Sequence, residues 1–213
     1  MKCNFFIFLL VIFVACTNQT PVNNDKVSEI TDSLSTIKQD SVLPASQFTT
    51  YSDSAGVIGI FEVPEMLVFT ILDSCSFKDA PFVMSRDYAI LQTEIKECGA
   101  EIGGAPGCIS YNNDTSNYVF ECVIPIKSVA KKNPKRSKMV ALSAGEMAIY
   151  NYYGTYNYLY RGYANLRAYI KQQHLQTNGP MREFYVTDAM LEKNPNKWLT
   201  RIMIPVKKKT TNT

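Results

Sequence analysis

The chain is short of histidine, of tryptophan and of unbalanced charge. Its only histidine, His174, leaves no set of imidazoles to build a metal centre and no histidine to complete a nucleophile triad nearby. None of its six cysteines falls in a Cys-x-x-Cys pair, so thiolate zinc sites are excluded on spacing. With 22 basic and 19 acidic residues the net charge is +3, too small for the electrostatic footprint of a nucleic-acid partner. No apolar run approaches the roughly 20 residues that a membrane-crossing helix needs. The longest, Phe5 to Val14, has ten. Function therefore rests on other groups, and neither a cofactor nor a metal is expected.

What is present suits a globular protein: 213 residues, 46% hydrophobic and 19% charged, enough for one ordinary domain plus extensions. The start, MKCNFFIFLLVIFVAC, reads as an export signal over 1–15, a lysine followed by an apolar run and a small residue. Phe13-Val14-Ala15-Cys16 resembles the lipobox of bacterial lipoproteins, which makes Cys16 the expected lipidation site. Residues 16–56 then serve as the lipidated cysteine and a flexible linker, because 17–48 are dominated by polar residues that cannot bury enough surface to offset ordering. A short helix over Val27 to Ile37 is the alternative there. The expected address is the bacterial cell envelope, with the domain tethered to a membrane and facing the periplasm. Cys108 and Cys122 flank the polar turn 112–117 almost symmetrically, so they either face each other as a disulfide or remain free, buried thiols.

The body, residues 57–208, reads as one unit written twice, over 57–127 and 139–208, followed by a tail at 209–213. Glu65-Met66-Leu67-Val68-Phe69 is echoed by Glu146-Met147-Ala148-Ile149-Tyr150, and Tyr88, Leu91 and Ile95 recur as Tyr163, Leu166 and Ile170 at the same helical spacing. Gly103-Gly104-Ala105-Pro106 and Asn178-Gly179-Pro180 break the chain after each helix. Counting from these prolines pairs Tyr111 with Tyr185, and Ile109 with Glu183. Counting back from Pro125 and Pro205 pairs Tyr118 with Trp198. Each unit runs strand, helix, strand, strand, and one such unit has too little core to stand alone. Two side by side give a mainly antiparallel sheet with both helices on one face and a groove on the other. The basic stretch 131–138 reads as a solvated connector between them.

Tyr153-Gly154-Thr155-Tyr156, the helix to Ile170, Gly179-Pro180-x-x-Glu183-x-Tyr185 and Trp198-x-Thr200-x-Ile202-x-Ile204-Pro205-Val206 together resemble the GyrI-like small-molecule-binding family. That family is also found as the effector-binding domain of multidrug-sensing transcription regulators. The resemblance covers most of 57–208 and is stronger in the second unit. It implies an α+β fold of duplicated β-α-β-β units around a central cleft lined by aromatics, with an acid on the strand after the second helix. Glu183 is that acid here. The regulators carry a helix-turn-helix that is not found before residue 57, and an exported chain would not meet chromosomal DNA, so a transcriptional role is not expected.

Glu183 and Tyr185 share one face of their strand, with Phe184 and Val186 on the other. Seven tyrosines crowd 150–163, offering ring faces to flat apolar groups and cations. The expected ligand-binding set is Glu183, Tyr156, Tyr152, Tyr185 and Trp198, and the expected partner is an amphipathic or cationic small molecule. Two other readings stay open. One is a hydrolase of reactive small molecules in which Glu183 and Tyr156 do acid/base work, an activity that the family resemblance includes. The other is a protein-interaction module.

Overall fold

The computed structural model describes residues 56–209. The export signal, Cys16, nearly all of the linker and residues 210–213 lie outside them. The elements are β1 (Ile58–Val63), β2 (Met66–Cys75), α1 (Ala80–Glu97), β3 (Gly107–Ser110), β4 (Tyr118–Pro125), β5 (Lys138–Leu142), β6 (Gly145–Tyr153), α2 (Leu159–Gln172), β7 (Leu175–Thr177), β8 (Met181–Tyr185) and β9 (Leu199–Lys208). Short 3-10 turns at Tyr156–Tyr158 and Pro195–Lys197 lead into α2 and β9.

Both helices form where the apolar stripe requires them. Tyr88, Leu91 and Ile95 are buried on α1, and Leu159, Leu166 and Ile170 on α2. Pro81 opens α1 at a position where its missing N–H costs nothing. Gly99, at φ +68°, closes it, with the Ala100 N–H bonded back to the Ile95 carbonyl. The stop thus comes four residues before the expected Gly103. In α2 the left-handed residue is His174, at φ 54°, so the lone histidine caps a helix.

The sheet order is β1-β6-β9-β8-β3-β4-β2-β5, every pairing antiparallel, with β7 added against β9. The order reads the same from either end once β1, β2, β3 and β4 are exchanged for β5, β6, β8 and β9. The centre of that pattern lies between β3 and β8. Each edge strand crosses over, β1 pairing with β6 and β5 with β2.

Connection length forces the sheet to curl. In a flat sheet β1 and β2 would stand six strand spacings apart, about 29 Å. Only Pro64 and Glu65 join Val63 to Met66, a reach of at most about 11 Å. The same holds for β5 and β6, joined by Ser143 and Ala144. The inside of the curl is filled by one core, among it Val63, Met66, Val68, Ile109, Val123, Leu142, Met147, Phe184 and Met203. This overturns the expectation of a groove on the helix-free face, because that face is folded onto itself. Outside, α1 packs on β2 and β4, and α2 on β6, β7 and β9. The central strands β3 and β8 lie between the two.

The basic connector is held by its backbone. Glu94, 2% exposed on α1, accepts the N–H groups of Lys135, Arg136 and Ser137 at 2.8–2.9 Å and the Ser137 hydroxyl. Burial would raise its pKa, but these hydrogen bonds outweigh it and hold the acid at about 2. Glu94→Ala strands three N–H donors and is expected to cost about 3 kcal/mol, read as a lowered urea midpoint. Because the folded pKa is depressed below 4.5, the contribution is full above about pH 4.5 and is lost as pH falls towards 2. The wild-type and Glu94→Ala midpoints should therefore converge in acid.

Candidate functional site

Register places the acid at the middle of the sheet. On β8, Glu183 lies opposite Cys108 of β3 on one side and Ile202 of β9 on the other. The row continues to Cys122 on β4 and Tyr150 on β6. All point to the helix-bearing face, since Phe184 goes into the inner core while Tyr185 packs against the core beneath α1. The acid thus stands on the strip between the two helices. Arg182 and Arg201 alternate to the opposite face, and the Arg201 Nε donates to Asn151 Oδ1 at 3.1 Å. Among the described residues no lysine or arginine pairs with Glu183.

Its partners are phenols. Glu183 is 5% exposed, and Tyr163 on α2 donates to its Oε1 at 2.6 Å. The Tyr185 hydroxyl donates to Oε2 at 3.3 Å. Burial pushes the carboxyl up to about 7, against the downward pull of these two hydrogen bonds. The buried acid in turn raises the pKa of both phenols, burial again being the larger cause, so they remain protonated donors. Near neutral pH the carboxyl is poised between its neutral and charged forms.

An aromatic wall stands beside it. The Tyr156 ring meets Tyr185 edge-on at 5.7 Å between centroids and lies 5.4 Å from Trp198 at a 31° tilt. The Trp198 indole N–H is fixed by the Glu192 carbonyl at 2.8 Å, so its ring is held in place. Burial, then the charges of Asp188 and Glu183, raise the Tyr156 pKa. Four of the five expected site residues, Glu183, Tyr156, Tyr185 and Trp198, are thereby brought together. Tyr152 is not among them. It lies in the core under α2 and gives its hydroxyl to the Thr155 carbonyl at 3.0 Å.

Sequence reading missed Tyr163 as a site residue because it heads an apolar helical stripe and counts there as core. Its hydroxyl, not its ring, contacts the acid. Tyr163→Phe should raise the Glu183 pKa further, since one of the two bonds favouring the charged form is lost. The pH at which the Glu183 carboxyl is half ionised is then expected to move up by about one unit. A fluorescence titration across pH reads this directly.

The alignment of the two halves also changes. Cys108, not Ile109, shares the helix-side face with Glu183, while Ile109 is in the inner core. A one-residue slip moves a side chain to the other face, and counting from the prolines introduced one. The interval from Gly99 to Pro106 is one residue longer than that from His174 to Pro180.

A symmetric curled antiparallel sheet carrying two helices is a fold shared with known proteins. Residues 58–207 match the profile of the GyrI-like small molecule binding domain. The chain belongs to that family. Among solved structures, the GyrI-like fold aligns with the C-terminal domain of EcmrR at TM-score 0.65 and 16% identity, over 73% of this chain and all of that one. EcmrR in a DNA complex aligns at 0.64 and 17%, over 77% of this chain, which spans 62% of the EcmrR length. A hydrolase from Listeria innocua aligns at 0.57 and 14%, over 76% of this chain and 97% of that one. No curated protein matches the sequence.

Proposed function

We propose that this GyrI-like domain binds an amphipathic, cationic aromatic small molecule on the strip between α1 and α2. The observation that carries this reading is a buried carboxylate with two phenol donors and no cation partner among the described residues. A positive charge on the ligand supplies the missing partner, and the rings of Tyr156 and Trp198 take its flat apolar part. In the same reading Cys16 carries lipid, and the domain meets its ligand at the envelope, in the periplasm.

The test is affinity against pH, with Trp198 fluorescence as the reporter and a rhodamine-type cation as the probe. A cation prefers the ionised acid, whose pKa in the free domain is about 7. Affinity should level off above pH 8 and fall about 100-fold by pH 5, tenfold for each unit below the pKa. A neutral ring of the same size should show no such slope. Equal slopes for the two probes refute the charge-paired reading.

The same carboxyl favours a second reading, a hydrolase. A group with a pKa of about 7, 2.6 Å from a phenol, has the poise of a general acid/base. The phenol in contact is that of Tyr163, where the sequence pointed to Tyr156. A ligand recovered unchanged after long incubation excludes this reading, and product lost with Glu183→Gln supports it.

A further inference from the structure

Cys108 and Cys122 are both buried free thiols, on neighbouring strands and directly opposite each other. The type of pair follows from one hydrogen bond. The Tyr111 N–H donates to the Val119 carbonyl at 3.0 Å, in the same register, which makes 111/119 a hydrogen-bonded pair. Such pairs alternate along an antiparallel ladder, so 109/121 is hydrogen-bonded and 108/122 is not. The backbone groups of Cys108 instead face β8, as the Tyr185 N–H to Pro106 carbonyl bond requires of that ladder. In a non-hydrogen-bonded pair the Cα atoms lie about 4.5 Å apart and the side chains approach closely, within the span a disulfide bridges. Both side chains project to the same face, into the core beneath α1.

We propose that Cys108 and Cys122 are a modification site, closing to a cross-strand disulfide when the chain folds in the presence of a small-molecule disulfide oxidant. Two thiol–disulfide exchanges form the S–S bond. The protein's thiols give up two electrons, and the reagent's disulfide is reduced to two thiols that take up the two protons. Burial pushes both thiols well up, so exchange with the folded domain is slow and the bond is made during folding. Once closed, it spans the β3–β4 hairpin, with 13 residues between the cysteines, and is shielded from reductant. It also fastens to β4 the strand on which Glu183 pairs, since Cys108 is the acid's neighbour on β3. Cys75, at the end of β2, and Cys98, after α1, lie outside this register.

The chain is refolded in oxidised glutathione, its remaining thiols are alkylated under denaturing conditions, and the peptides are mapped. The expected result is one linkage, Cys108 to Cys122, and a Tm about 5–10 °C above that of the same sample in reductant. Cys122→Ala should abolish that gap. The proposal is overturned if Cys108 and Cys122 are both alkylated, if either is linked to Cys75 or Cys98, or if the gap survives in Cys122→Ala. The peptide map needs no variant, so a poorly folding one does not spoil the test.

Discussion

Glu183→Gln is expected to weaken binding of an aromatic cation about 100-fold at pH 8, roughly 3 kcal/mol, while leaving a neutral aromatic ligand nearly unaffected. Glutamine keeps the shape and still accepts from Tyr163, so only the charge is removed. The same substitution should act on stability in the opposite sense. The folded pKa of Glu183, about 7, lies above its ordinary 4.5. Its contribution to stability is therefore full below about pH 4.5 and lost as pH rises through 7. That loss is on the order of 3 kcal/mol, since each pKa unit is worth about 1.4. Without ligand, Glu183→Gln should thus melt about 6–12 °C above wild type at pH 8.5, with the gap closing towards pH 4.5. Calorimetry at the two pH values reads this. A constant gap means that the acid is not held neutral by burial.

A second large effect is expected at Gly107. A Cβ there would overlap the Glu183 backbone carbonyl oxygen and lie 2.7 Å from the Phe184 ring. The carbonyl belongs to β8 and cannot rotate away, and the Gly107 carbonyl is itself fixed by the Tyr88 hydroxyl at 2.7 Å. Gly107→Ala must part β3 from β8 at the centre of the sheet, costing about 3 kcal/mol or more and about 10 °C in Tm. The displaced strand carries Glu183, so cation affinity should fall with it. Gly162→Ala provides the contrast. Its added methyl meets the movable tip of Ile202 at 2.6 Å, and alanine favours the helix by about 1 kcal/mol. A much smaller loss is expected, measured by the same melts.

The parity of β8 was legible because it needs no knowledge of neighbours: Glu183 and Tyr185 had to share a face. The face itself was not legible. It depends on where the sheet closes, and that follows from two-residue links joining strands that a flat sheet would hold far apart. Tyr156 and Trp198 could be chosen by type, whereas Tyr152 could not be told from them until α2 was seen to cover it. The Tyr163 hydroxyl and the Gly107 contact depend on partners about 20 and 76 residues away, respectively, and no local pattern announces them.

What the sequence determined by itself was the local layer: two helices from apolar spacing, strands from alternation, and an acid that no strand needs for its own formation. These follow from propensity and periodicity, which act over a few residues. The tertiary structure decided where the acid stands and what state it is in. A carboxyl with a pKa of about 7, two phenols on its oxygens and two arginines turned away from it is a product of packing and register. Those are set by contacts distant in sequence, whose energies no short stretch of residues contains.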